Sequence, residues 1–154
     1  MIQRIQSIYL LLVLILGTLH FFIPFADFYV GGNFIADIKA TGIEFNPNAV
    51  ITASVNMILL TLCIVVIDLL TIITVFLYKK RRMQILLVKI NMVFEIISVV
   101  IMFLLADIIK AAINAEVKYY FAAVFPLISL VLLYFTLRAI NKDEELLKAA
   151  DRLR

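Results

Sequence analysis

The sequence predicts an all-α integral membrane protein, a four-helix bundle with a small extracytoplasmic loop or hairpin between its first two helices. Three observations carry this. Of 154 residues, 65% are hydrophobic and only 16% are charged. The mean hydropathy is +1.11. Four long apolar runs are separated by polar breaks. Soluble domains are about 45–50% apolar and about 25% charged, so an ordinary water-soluble domain is excluded. Intrinsic disorder, which needs low hydrophobicity and high charge, is excluded as well. A disulfide scaffold is ruled out because Cys63 is the single cysteine.

A helix needs roughly 20 apolar residues to cross about 30 Å of hydrocarbon. The first run covers residues 8–23 and ends at Pro24-Phe25-Ala26-Asp27. No pair of small residues marks a cleavage site after it, so it reads as a retained span rather than a signal peptide. The second covers 50–78, the third 85–109 and the fourth 119–137. These runs are apolar on every face, which suits helices and not barrel strands. The second run is longer than the hydrocarbon requires. Thr52, Ser54 and Asn56 lie in its first turns, so those turns are expected to protrude. Asn48 is the expected cap of that helix, with Pro47 ahead of it. Pro126 is expected to kink the fourth helix or to mark its first turns.

Orientation follows from lysine and arginine in the short connections. Eleven of the 14 fall on one side: Arg4, the turn Lys79-Lys80-Arg81-Arg82 with Lys89, and five in the tail 138–154. Lys39, Lys110 and Lys118 fall on the other. Both termini are therefore expected in the cytoplasm. The basic turn sets topology and can also attract anionic headgroups. The basic pI reflects this asymmetry and gives no argument for nucleic acid.

The outer loop, residues 24–48, is too long for a simple turn. Phe28-Tyr29-Val30 and Phe34 to Lys39 flank Gly31-Gly32-Asn33, the pattern of a hairpin. Gly42 offers a second turn before Ile43-Glu44-Phe45. The loop reads either as a cap over helix ends or as a binding lid. The tail reads as a continued helix, with Leu146, Leu147, Ala150 and Leu153 at helical spacing, suited to a membrane surface or a partner.

Ionisable residues inside a span are costly and usually face the bundle interior. Asp68 lies ten residues before Tyr78, and Glu95 ten residues after Ile85. A tight turn joins spans two and three, so the two carboxylates are expected at one depth, about 15 Å from the same surface. Thr61 and Thr71 accompany Asp68, and Asn91 and Ser98 accompany Glu95. Asp68, Glu95, Asn91 and Thr61 thus form the candidate polar site. It reads either as interhelical glue, as a contact to a partner protein, or as a proton or cation site in which one carboxyl holds a proton. His20 is expected near the outer interface, solvated by headgroups or sensitive to pH. Cys63 reads as a packing residue. One histidine and one cysteine make no metal site. No glycine-rich nucleotide loop, catalytic triad or zinc-protease motif occurs, so no cofactor and no enzyme are expected.

The start Met1-Ile2-Gln3-Arg4-Ile5-Gln6-Ser7-Ile8-Tyr9-Leu10 and the run from Arg138-Ala139-Ile140-Asn141-Lys142-Asp143 to Asp151-Arg152-Leu153-Arg154 resemble a family of short four-span bacterial membrane proteins. It is filed as domain of unknown function 4293 and is found mainly in the Bacteroidota. The resemblance implies four spans and an inner-membrane address. It implies no activity and no functional residues. The expectation is a non-enzymatic scaffold or accessory subunit, in contact with the bilayer and with a membrane partner or a second copy. The alternative is a small proton- or cation-coupled transporter using the paired carboxylates.

Overall fold

The computed structural model describes the backbone of residues 3–47, 55–78 and 80–152, and the side chains of 5–47, 55–78 and 80–146. Helix α1 spans Gln3–Phe22, and strands β1 Ala26–Val30, β2 Asn33–Lys39 and β3 Gly42–Phe45 follow. Helix α2 is Ile58–Phe76, α3 is Arg81–Ile113, β4 is Glu116–Tyr119, and a 3-10 turn at Phe121–Val124 leads into α4, Phe125–Arg152. Among the described residues, four helices are long and apolar enough to cross a membrane.

Each helix packs on two others: α1 and α3 both contact α2 and α4. The buried positions explain this. On α3 they are Gln84, Val88, Asn91, Glu95, Ser98, Met102, Ala106, Ile109 and Ile113, recurring every three or four residues. On α2 they are Leu60, Cys63, Ile64, Ile67, Thr71 and Thr74. Such a narrow stripe matches a near-parallel helix seam. The remaining faces carry exposed apolar side chains, among them Leu11, Leu62, Ile96 and Val131. Cys63 packs as a small buried residue.

The all-α expectation needs correction. Both connections at one end of the helices contribute to a four-stranded antiparallel sheet in the order β3-β2-β1-β4. The hairpin expected at Gly31-Gly32 is there, with φ of +58° and +83° at the two glycines. A two-residue turn of this twist needs positive φ at both positions, which glycine adopts without strain. The stretch after α3 is not a plain turn. Asn114, at φ +50°, stops α3 in the left-handed conformation, and Glu116 to Tyr119 then pair with β1.

Period-two alternation divides the sheet. Ala26, Phe28, Ala36 and Ile38 point inward, fully buried against Leu60, Met102, Ala106 and Ile109. The outer face carries Glu44, Asp37, Asp27 and Lys118 in one register row across all four strands. Thr61 docks the β2–β3 turn on α2 by donating to the Ala40 carbonyl at 2.7 Å.

The helix boundaries shift from the apolar runs. α2 begins at Ile58, whose N–H is accepted by the Asn56 side chain at 2.9 Å, so residues 55–57 are not protruding helix. The cap expected at Asn48, with Thr52 and Ser54, lies outside the described residues. α3 extends beyond 85–109 at both ends. α4 begins at Phe125 rather than 119, because Tyr119 ends β4 and the 3-10 turn takes up Phe121–Val124, and Pro126 stands in its first turn. The tail continues α4 as a helix through Arg152.

Candidate functional site

The core is divided in two. A large apolar cluster lies under the sheet, and a smaller one, Leu10, Val13, Val88, Leu133 and Ile140, lies toward the basic turn. Between them the helix stripes turn polar. Asn91 on α3 donates to Thr71 Oγ1 on α2 at 2.7 Å, and Thr71 donates to the Ile67 carbonyl at 2.8 Å. One step toward the basic turn, Gln84 donates to the Thr74 carbonyl at 3.2 Å. These contacts run in opposite chain directions, as an antiparallel pair requires.

The next layer toward the sheet holds the carboxylates. Glu95 is buried at 4% exposure, with Ser98 Oγ 3.5 Å from its Oε2. Ser129 on α4 also hydrogen-bonds to it, and Asp68 on α2 is close enough to act on it electrostatically. Asp68 is half-buried, and its Oδ1 has no hydrogen-bond partner. Its carboxylate lies against Gly17 of α1, where a Cβ would collide with it.

Of the expected site residues, Asp68, Glu95 and Asn91 share one seam, at neighbouring depths. Thr61 does not join them. It stands about 10 Å along the helix from Asp68, seven residues at about 1.5 Å each, and serves the sheet. Two residues join instead. Gly17 gives Asp68 its space. His20, three residues on, is buried at 2% exposure rather than bathed in headgroups. Its ring stacks on Phe25, with centroids 5.7 Å apart and an 8° interplanar angle, and meets Phe125 edge-on at 6.4 Å. The Ala122 backbone reaches toward the ring, but neither ring nitrogen makes a hydrogen bond of ordinary geometry. The spacing of Gly17 and His20 on one helix face was available in the sequence. What was missing was which helix that face meets.

A cavity of about 10 Å³ lies at the junction of all four helices. Gly17 and His20 line it from α1, Ile64 and Ile67 from α2, Glu95 and Ser98 from α3, and Phe125, Pro126 and Ser129 from α4. The volume suits one water molecule and nothing larger. Among the described residues no cluster of histidine, cysteine and carboxylates could hold a metal ion.

A second concavity, of about 550 Å³, opens at the sheet end. Asp27, Asp37 and Tyr120 line it, with Ile23, Phe34 and Phe121 at its apolar side. Tyr120 donates to Asp27 Oδ2 at 2.5 Å, and Tyr29 donates to the same oxygen at 3.3 Å. The bond to Asp27, reinforced by its charge, pushes the Tyr120 phenol up to about 12. Burial, with the Glu44 and Asp27 carboxylates, raises the Asp37 carboxyl against the pull of Lys39. Lys39 pairs with Glu44 at 2.5 Å, and Lys118 lies 4.5 Å from the centre of the Tyr29 ring.

At the basic end, Gln6 of α1 donates to Asp143 of α4 at 3.1 Å, and Arg81 of α3 approaches the same oxygen at 3.9 Å. Arg81 thus ties helices together, while Lys80 and Arg82 are exposed. Lys79 lies outside the described residues.

These features define a class: four apolar helices around a small polar centre, closed at one end by a sheet made from both connections. The chain belongs to the family described as Domain of unknown function (DUF4293), whose model matches residues 2–153. Comparison with curated proteins and with solved structures found no match.

Proposed function

We propose that this chain is a four-helix bundle of the bacterial inner membrane with both termini in the cytoplasm. Its role is that of a non-enzymatic scaffold or accessory subunit presenting its sheet to a membrane partner. One observation carries the reading: both connections at the sheet end are built into a single sheet whose inner face is locked on the helices and whose outer face is a polar row beside an open groove. Surface loops held this way are where binding residues are commonly positioned. The distribution of lysine and arginine supports the orientation.

Native gel electrophoresis of mildly solubilised membranes tests it. The chain should migrate in an assembly larger than itself, and reversing charge at Asp37 and Glu44 should release it without unfolding it. Migration as a single chain, unchanged by these substitutions, overturns the reading. Periplasm-dependent reporters on each terminus should stay silent.

A second reading is a small proton- or cation-coupled transporter. The convergence of Asp68, Glu95 and His20 at the centre favours it. The cavity there has room for one water-sized species, a water or a bare monovalent cation. Under this reading Asp68→Asn with Glu95→Gln abolishes ion-dependent flux in liposomes. Under the scaffold reading the same pair changes stability only.

A further inference from the structure

The central cavity and the groove at the sheet end share one wall, the Phe125 side chain. His20 packs against that ring and against Phe25, and it also lines the cavity. It is therefore the polar side chain standing between the groove and Glu95. Its nitrogens are buried, one facing the Ala122 backbone and neither in a hydrogen bond of ordinary geometry, a condition that proteins seldom leave without a further partner. The cavity holds one water's volume and offers that water four polar groups, the Glu95 carboxyl, the Ser98 and Ser129 hydroxyls and the imidazole, enough for the two to four partners a buried water takes.

On the opposite side the Glu95 layer is sealed. Asn91 donates to Thr71 and leaves its Oδ1 buried without a partner, and Leu10, Val13, Val88 and Leu133 fill the section below with almost no exposed surface. The two sides of the carboxyl pair are thus unequal.

We propose that the cavity binds a single water joining His20 to Glu95, and that the Asp68–Glu95 pair exchanges one proton with the sheet side alone, through this water and the His20 ring. This rests on the second reading above and adds to it the relay and its sidedness. On uptake, with the Phe125 ring displaced, one His20 nitrogen accepts a proton from groove water while the other releases one to the bound water. That water passes a proton to a carboxylate oxygen, which becomes neutral. The imidazole ends neutral, in its other tautomer, and one positive charge has moved inward. Release runs the same steps backward. The titratable groups facing Glu95 are His20 from α1 and Asp68 from α2. The residues of α4 at the cavity, Phe125, Pro126 and Ser129, do not titrate, and no lysine or arginine lines it.

Infrared spectroscopy of the full chain in lipid nanodiscs tests this. A protonated carboxyl gives its own carbonyl band, and the rate at which that band shifts in heavy water reports access. Glu95→Gln or Asp68→Asn should remove the band. His20→Phe should slow its exchange by about a hundredfold, the low end of what a positioned proton carrier contributes, and His20→Gln should do the same if the larger ring disturbs folding. Phe125→Ala should speed exchange, whereas Val88→Ala, which thins the opposite seal, should leave it unchanged. If the band depends on the carboxyls but exchange ignores His20 and Phe125, or quickens in Val88→Ala, the relay is wrong and the proton site stands. A band that survives both carboxyl substitutions overturns the two together.

Discussion

Gly17 and Asp68 fit together as a hole and its occupant. The α1 backbone lacks a side chain where the α2 carboxylate crosses, and a single methyl group at Gly17 would occupy the space of Asp68 Oδ1. The close approach of α1 and α2 at this level depends on both residues.

Gly17→Ala should therefore destabilise the protein by about 1–3 kcal/mol, the usual cost of overfilling a packed site. Adding Asp68→Ala should restore most of that loss, because the two side chains compete for one volume. Unfolding midpoints of the two single variants and the double variant in detergent measure the coupling. Strict additivity would remove the steric explanation.

The Asn91–Thr71 bond joins α2 and α3 inside the apolar layer. Interhelical hydrogen bonds of this kind contribute about 0.6 kcal/mol on average. A double-mutant cycle with Asn91→Ala and Thr71→Val should return a coupling energy of about that size. The same cycle between Asn91 and Thr61 should return none, because Thr61 bonds to Ala40 instead.

Tyr120 should titrate late. Its phenol is pushed from 10.0 up to about 12 by the bond to Asp27. The raised folded-state value means the bond's contribution to stability is complete below about pH 10 and is lost as pH rises through about 12. Absorbance titration should resolve a late tyrosinate component that is missing from Tyr120→Phe and displaced downward in Asp27→Asn. The alkaline loss of stability should be reduced in both. A wild-type titration without that component contradicts the geometry at Asp27.

The two faces of the sheet should respond oppositely to substitution. Phe28 is fully buried between the sheet and the helices, and Phe28→Ala should cost about 3–5 kcal/mol. Glu44 is 64% exposed and pairs with Lys39 at the surface. Glu44→Gln should change stability by no more than about 1 kcal/mol. Chemical unfolding of the two variants side by side is the check, and comparable losses would mean the inward and outward faces are misassigned.

The four long helices were legible because each is written largely as an unbroken apolar run. The closeness of Asp68 and Glu95 was legible for a related reason: a tight turn converts similar counts from Tyr78 and Ile85 into similar heights. Other features depend on how separated segments meet, and sequence period does not report that. Thr61 and Thr71 both read as polar companions of Asp68, yet only Thr71 lies on the buried stripe of α2 and faces Asn91, while Thr61 meets a turn of the sheet. Gly17 and His20 acquire their roles from the neighbours of α1. The strand Glu116–Tyr119 is four residues long with no turn signature of its own, and it becomes a strand because β1 offers it an edge. The start of α2 has a local reason, since Asn56 supplies a side-chain oxygen to the N–H of Ile58 at its head.

Strand β1 finds β2 within its own hairpin, but its other neighbour, β4, arrives only after α2 and α3 have been made. During synthesis the first strand must wait with one edge bare, a form open to mispairing and to proteolysis. The last strand then works as a clasp: it fastens once the third helix has delivered Glu116 to the proper side. A chain folded with that helix pointing the other way could not close it, so the finished sheet is a built-in report that the helices are correctly arranged.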